Sequence, residues 1–179
     1  MAIFTDLQEA IRLSVIAALP DYPTTLVKFS HDNGSEPSAS YVVINVLNTE
    51  QQGHHSTSTL VNTNETLTFQ VAYEIMCQFS FIGSLSGEMS QSFNNNINNN
   101  PITRLELNRN RLGFMRKSQI RRAPQKRDTK WVEYHNMDVT FSYIVVTNQL
   151  IDSVDGVVIA DETSEIPVII KIPESIIYP

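Results

Sequence analysis

From Met137 to Val145 the chain alternates, with Met137, Val139, Phe141, Tyr143 and Val145 apolar and Asn136, Asp138, Thr140 and Ser142 polar. A period of two puts every apolar group on one face of an extended strand. Leu67, Phe69, Val71, Tyr73 and Ile75 repeat the pattern against Thr66, Thr68, Gln70 and Glu74. Strands of this kind belong to an antiparallel sheet with one face covered and one open. Two helical patterns are available to cover it. Leu7, Ile11, Val15 and Leu19 recur at helical spacing over residues 5–19, with Thr5 as N-cap, Asp6 and Glu9 in the first turn, and Pro20 and Pro23 as stops. Leu85, Met89 and Phe93 share the same spacing. The expected fold class is therefore α+β: an antiparallel sheet with helices packed on one face.

The remaining segments fill in that frame. Residues 25–29 predict a short strand, and "YVVINVL" (41–47) a buried strand that is apolar on both faces. The polar stretch 48–65 predicts a long loop. "NNNINNN" predicts a polar linker, and Asn100–Pro101 a cap opening a short helix, "PITRLELNR". A strand from Leu112 towards Arg121 and another from Lys130 to Thr147 flank a turn at Pro124. Eighteen extended residues reach roughly 60 Å, and the alternation is poor before Met137. A β-hairpin arm at about residues 112–135, projecting from the body, is expected. The segment at about 149–179 adds two apolar strands, "GVVIA" and "IPVIIKI", joined by the acidic "DETSE". The whole, residues 1–179, suits a single domain.

Charge is concentrated where the arm is expected. "MRKSQIRRAPQKRDTK" (115–130) holds seven of the chain's 13 basic residues and one acid, Asp128. The run is +6 in a chain of −6, so the remainder carries −12. Such a run binds nucleic acid, docks on an acidic protein surface, or is a solvated hairpin. Trp131 and Tyr134 beside it suit stacking on bases, but on a β-arm such residues more often pack against a partner or across the hairpin. The candidate interface residues are Arg116, Lys117, Arg121, Arg122, Lys126, Arg127 and Lys130, facing Asp152, Asp155, Asp161 and Glu162 of the acidic C-terminal segment.

No constellation for catalysis, cofactor binding or a metal emerges. "GSLSG" does not centre a serine in a nucleophile elbow, and no phosphate-cradling glycine loop is present. His54–His55, His31 beside Asp32, and His135, placed in the arm, read as structural or exposed. Cys77 is the sole cysteine and falls on the apolar parity of its strand, so it reads as an inert core thiol. The N-terminus lacks the basic region of a signal peptide, and no apolar run approaches the ~20 residues of a membrane span. A reduced, cytosolic compartment is expected.

The order of helix, two strands, polar segment, strand, helices, hairpin and late strands resembles the bacteriophage neck or tail terminator family. It is carried by "FTDLQEAIRLSVIAALP", "YVVINVLNTEQQG", "ETLTFQVAYEIMCQF", the helix–Pro–helix segment and "VTFSYIVVTNQLIDSVDGVVIADE", together about residues 3–165. The resemblance implies a structural virion protein and not an enzyme, assembled in the host cytoplasm as a homo-oligomeric, hexameric ring. Such a ring caps the tail tube, stops its polymerisation and joins tail to head. Its implied partners are tail tube and sheath proteins and a head-side connector or adaptor. DNA passes through without specific binding, since phosphate contacts along a basic lumen would retard it. The alternative is a nucleic-acid-binding module using the basic 116–130 hairpin.

Overall fold

The computed structural model describes residues 3–32, 34–56, 60–61, 66–150, 156–159 and 168–171. In chain order the elements are α1 (Ile3–Ala18), β1 (Val27–Phe29), β2 (Tyr41–Ser56), β3 (Leu60–Val61), β4 (Thr66–Ile82), α2 (Ser86–Asn99), α3 (Pro101–Arg109) and β5 (Leu112–Lys117). Then come β6 (Arg121–Arg122), β7 (Gln125–Arg127), β8 (Lys130–Val132), β9 (Tyr134–Leu150), β10 (Gly156–Ile159) and β11 (Val168–Lys171). They fall into two compact units, Met1–Ser56 with Gln70–Val146, and Thr57–Phe69 with Thr147–Pro179.

The larger unit is the expected α+β arrangement. Its sheet runs β1-β2-β4-β9-β5, with β6 also on β9. β1 lies parallel to β2, β2 antiparallel to β4, and β5 and β6 antiparallel to β9. Gly83 N–H donates to Glu133 C=O and Gln78 Nε2 to Asp138 Oδ1 (3.0 and 3.4 Å), so β4 and β9 run in opposite senses. The alternating rows do what their period requires. Ile75, Cys77, Phe79 and Phe81 of β4 and Met137, Val139 and Phe141 of β9 are buried in one core. Leu67 and Phe69 have side chains outside the described residues. The three helices supply the other half of that core through Leu7, Ile11, Met89, Phe93, Ile97 and Leu107. Cys77 is fully buried, and burial pushes its thiol up to about 12. That accords with an inert core group.

Several expectations change. α1 starts at Ile3, so Thr5 lies inside the first turn and is not its cap; helix ends commonly differ by a residue or two from any sequence reading. The 25–29 strand begins with a 3₁₀ turn, Thr24–Leu26. The asparagine tract is helix, not linker: α2 continues to Asn99, with Ile97 completely buried four residues after Phe93. Asparagine is a poor helix former, but Asn96 Nδ2 donates to Ala18 C=O at 3.0 Å, tying the tract to the end of α1. Leu85, read as part of that apolar row, precedes the helix and is exposed. The cap at Asn100 stands as expected, its side chain accepting from Ile102 N–H at 2.8 Å with Pro101 at the first helical position.

Much of the polar stretch 48–65 is also strand. β2 runs on to Ser56, paired with β4 as far as Ser56↔Gln70, and β3 follows. Both side-chain rows there are exposed over residues 48–53, so no alternation marks them. "YVVINVL" is apolar on both faces at its start. Val42 and Ile44 join the main core, while Tyr41 packs with Ile82 and Tyr134 in a small second cluster, backed by Val43 and Val132. Gly83 makes the turn after β4: its φ is +109°, and an added Cβ would sit 2.6 Å from Ser40 Oγ.

The hairpin forms without the expected arm. Residues 112–117 and 121–122 are zipped onto β9, and the strand read as 130–147 breaks at Glu133 into β8 and β9. β7 and β8 pair as Gln125↔Val132, Lys126↔Trp131 and Arg127↔Lys130 around Asp128, whose φ of +50° an aspartate tolerates. Val132 packs against the second cluster and Arg127 reaches Glu36, so this hairpin is folded back on the sheet. His135 accordingly lies on β9 rather than in an arm.

In the smaller unit, β3 pairs with the start of β4, Leu60↔Leu67 and Val61↔Thr66, and β10 pairs antiparallel with β11. The two late apolar runs thus pair with each other.

Candidate functional site

The basic run is held by carboxylates of its own chain. A bulge between Phe114 and Arg116 turns Arg116 to the open face of the sheet, away from the helices. From there its Nη2 reaches Glu74 Oε1 on β4 at 2.8 Å, and its Nε donates to Thr140 Oγ1 at 3.2 Å. Arg121 Nη2 lies 2.5 Å from Asp138 Oδ2. Arg122 grips Glu133 with two bonds of 2.9 and 2.6 Å. Arg127 pairs with Glu36 and sits 5.4 Å from the centre of the Tyr134 ring. Lys117 turns to the helix side instead and donates to Asn94 C=O at 2.5 Å; partial burial lowers its pKa.

These pairs leave little uncompensated charge. Against seven cations stand Asp128 and four recruited carboxylates, so the +6 of the run falls to +2. Lys126 and Lys130, on the β7–β8 hairpin, form no ion pair among the described residues. Trp131 stands beside them with 70% of its surface exposed, while Tyr134 is buried. Asp152, Asp155, Asp161 and Glu162 lie outside the described residues. His135 Nδ1 lies 3.0 Å from Ser86 Oγ at the start of α2, His31 stacks near Phe29, and Asp32 Oδ2 accepts from Phe29 N–H at 2.9 Å. The side chains of His54 and His55, on β2, lie outside the described set. No group of three metal-ligating side chains occurs among the described residues.

What the sequence reading missed is the acid half of this surface. Asp138 was visible as a polar-parity residue of β9, one rung from Arg121. Glu36, a long way off in sequence, carried no signal. It also accepts from Tyr41 OH at 2.6 Å, and burial with that bond pushes the phenol up to about 12.

The pairs carry a pH dependence. The Tyr41 hydrogen bond and Arg127 hold Glu36 below its ordinary 4.5, Arg122 does so for Glu133, and Arg12 for Glu9. A carboxylate depressed in the folded state contributes stability above its unfolded pKa and loses it as pH falls through the folded value. The melting temperature should hold steady from pH 7 to about pH 5 and fall below about 4.5. The fall is modest, because the groups are exposed and screened. A melting curve unchanged down to pH 3 would contradict this.

A family model described as phage neck terminator protein matches residues 1–166. No curated protein matches the chain. The matched range covers every element of the larger unit and reaches beyond β10. The chain therefore belongs to the phage neck terminator family, structural components of the virion rather than enzymes.

Proposed function

We propose that this protein forms a closed ring in the phage neck that caps the tail tube, stops its polymerisation and joins the tail to the head-side connector. The family match over residues 1–166 carries this reading. The ring is taken as six copies, following the family resemblance. A head-to-tail contact between two different patches closes into a ring when its rotation permits. The ion pairing of the arginines supports a ring that DNA traverses without specific binding, because few uncompensated cations remain to hold phosphates.

Of the interface residues, Lys126 and Lys130 with Trp131 are best suited to an acidic protein face, since both lysines are without an ion pair among the described residues and the exposed Trp131 offers an aromatic anchor beside them. The segment of a neighbouring copy carrying Asp152, Asp155, Asp161 and Glu162 is the candidate acceptor. Arg116, Arg121, Arg122 and Arg127 take part as rim charges that keep their own carboxylates.

The test is sedimentation of the purified protein together with micrographs of tails assembled with and without it. The reading expects rings in isolation and tails of normal length that join heads, against over-long, headless tails without the protein. Lys126→Glu with Lys130→Glu should impair joining and leave the circular dichroism unchanged. Monomer at high concentration and low salt, with tails unaffected, overturns the reading.

A further inference from the structure

We propose that neighbouring copies join by continuing one β-sheet across the subunit boundary, the outer edge of β2 pairing with the outer edge of β5 of the next copy. The inference rests on the ring reading and names the surfaces that would build it.

Both edges are open among the described residues. β1 covers β2 only at Val42, Val43 and Ile44, leaving residues 45–56 with no strand outside them. β5 has β9 on its inner side and no strand on its outer side. An open edge presents a row of unpaired backbone N–H and C=O groups, a template for another strand.

The two edges also lie at the same height in the sheet. Val46 opposes Cys77 and Gln51 opposes Tyr73; Lys117 opposes Val139 and Leu112 opposes Tyr143. Continued along both strands without a bulge, the register of the Gly83–Glu133 and Gln78–Asp138 contacts sets Cys77 beside Val139 and Tyr73 beside Tyr143. Residues 46–51 of β2 are therefore level with 117–112 of β5. Three antiparallel steps separate these strands, so β5 runs opposite to β2. A rotation about a ring axis preserves strand direction along that axis. The next copy's β5 beside this β2 then continues the antiparallel alternation.

Side chains match as well. Each edge has a bulge that exposes one large apolar residue, Leu47 (48%) on β2 and Met115 (46%) on β5. Edges that avoid association carry charge or proline at such points; these carry hydrophobes. The one charge on β2 beyond β1 is Glu50, directly opposite Glu74. Like charges in that position repel. Glu74 is already engaged by Arg116 and by Gln52 Nε2 at 2.6 Å, whereas Glu50 has no cation among the described residues. The edge of β5 brings Arg116, which lies on the same open face of the sheet as Glu50.

Cysteine pairs test this. Cα atoms of β2 and β5 within one chain are three strand spacings apart, roughly 14 Å, beyond the ~7 Å limit of a disulfide, and Cys77 is buried. Any disulfide in Leu47→Cys/Met115→Cys, or in Thr49→Cys/Met115→Cys to allow a shifted register, must join two copies. Oxidation is expected to give a ladder of cross-linked multimers ending at the ring size, and a mixture of the two single variants to give dimers only. Rings that sediment normally but cross-link in neither pair overturn the edge pairing and leave the ring reading standing. Homodimers from Leu47→Cys alone overturn it in favour of a two-fold contact. Absence of both rings and cross-links overturns both readings.

Discussion

Phe93→Ala is expected to lower the unfolding free energy by about 3–5 kcal/mol, the cost of truncating a buried aromatic in a core that only partly collapses. Its ring centre lies 4.8 Å from that of Phe79 and 5.5 Å from that of Phe81, so it clamps α2 to the central strand of the sheet. Neighbouring residues of the same helix should behave differently. Asn98 is exposed, and Asn98→Ala should be neutral or slightly stabilising, because alanine is the better helix former by about 0.5 kcal/mol. Urea denaturation with a circular dichroism readout measures both. A loss below about 1 kcal/mol for Phe93→Ala would mean that α2 is not held by this contact.

The contrast between those two residues shows what was legible. Period-two rows from Leu67 to Ile75 and Met137 to Val145, and period-3.6 rows in α1, depend on local chemistry and point directly to a sheet with helices on one face, although the fully buried part of the β4 row runs from Ile75 on to Phe81. Ile97 fitted the α2 row at four residues beyond Phe93, yet six asparagines around it masked the helix, because propensity there is overridden by one buried side chain and the Asn96–Ala18 bond. β2 beyond Leu47 was illegible for a related reason. With both faces wet, its strand state comes from pairing with β4, a long-range property that leaves no periodic trace. A projecting arm requires residues 130–147 to form one uninterrupted strand, whereas the break at Glu133 lets β7 and β8 fold back towards Glu36 and Tyr134. The basic cluster was plain in the sequence; its neutralisation was not, since three of the four carboxylates come from outside the 112–135 segment.

That neutralisation sets up the second large effect. The variant Glu36→Gln/Glu74→Gln/Glu133→Gln/Asp138→Asn should bind duplex DNA far more tightly than the wild type at low salt. The amides remove the four carboxylates paired with Arg116, Arg127, Arg122 and Arg121 while keeping side-chain size, and the arginines stay charged at any accessible pH. Each arginine released to a phosphate steepens the dependence of log affinity on log salt by about 0.9. The wild type, with a residual charge of +2 on this run, should show a slope no steeper than about 2, and the variant one approaching 5 or 6. Fluorescence anisotropy on a labelled duplex between 50 and 200 mM salt reads both slopes, with circular dichroism as a check on folding. A steep wild-type slope near 6 would show that the carboxylates do not compete with phosphate, and would restore the nucleic-acid-binding reading of the 116–130 hairpin. A shallow slope in both proteins would mean that the arginines face away from a surface that DNA can reach. The expected pair, shallow then steep, identifies the carboxylates as what keeps a strongly basic segment from holding DNA, as the proposed neck ring requires.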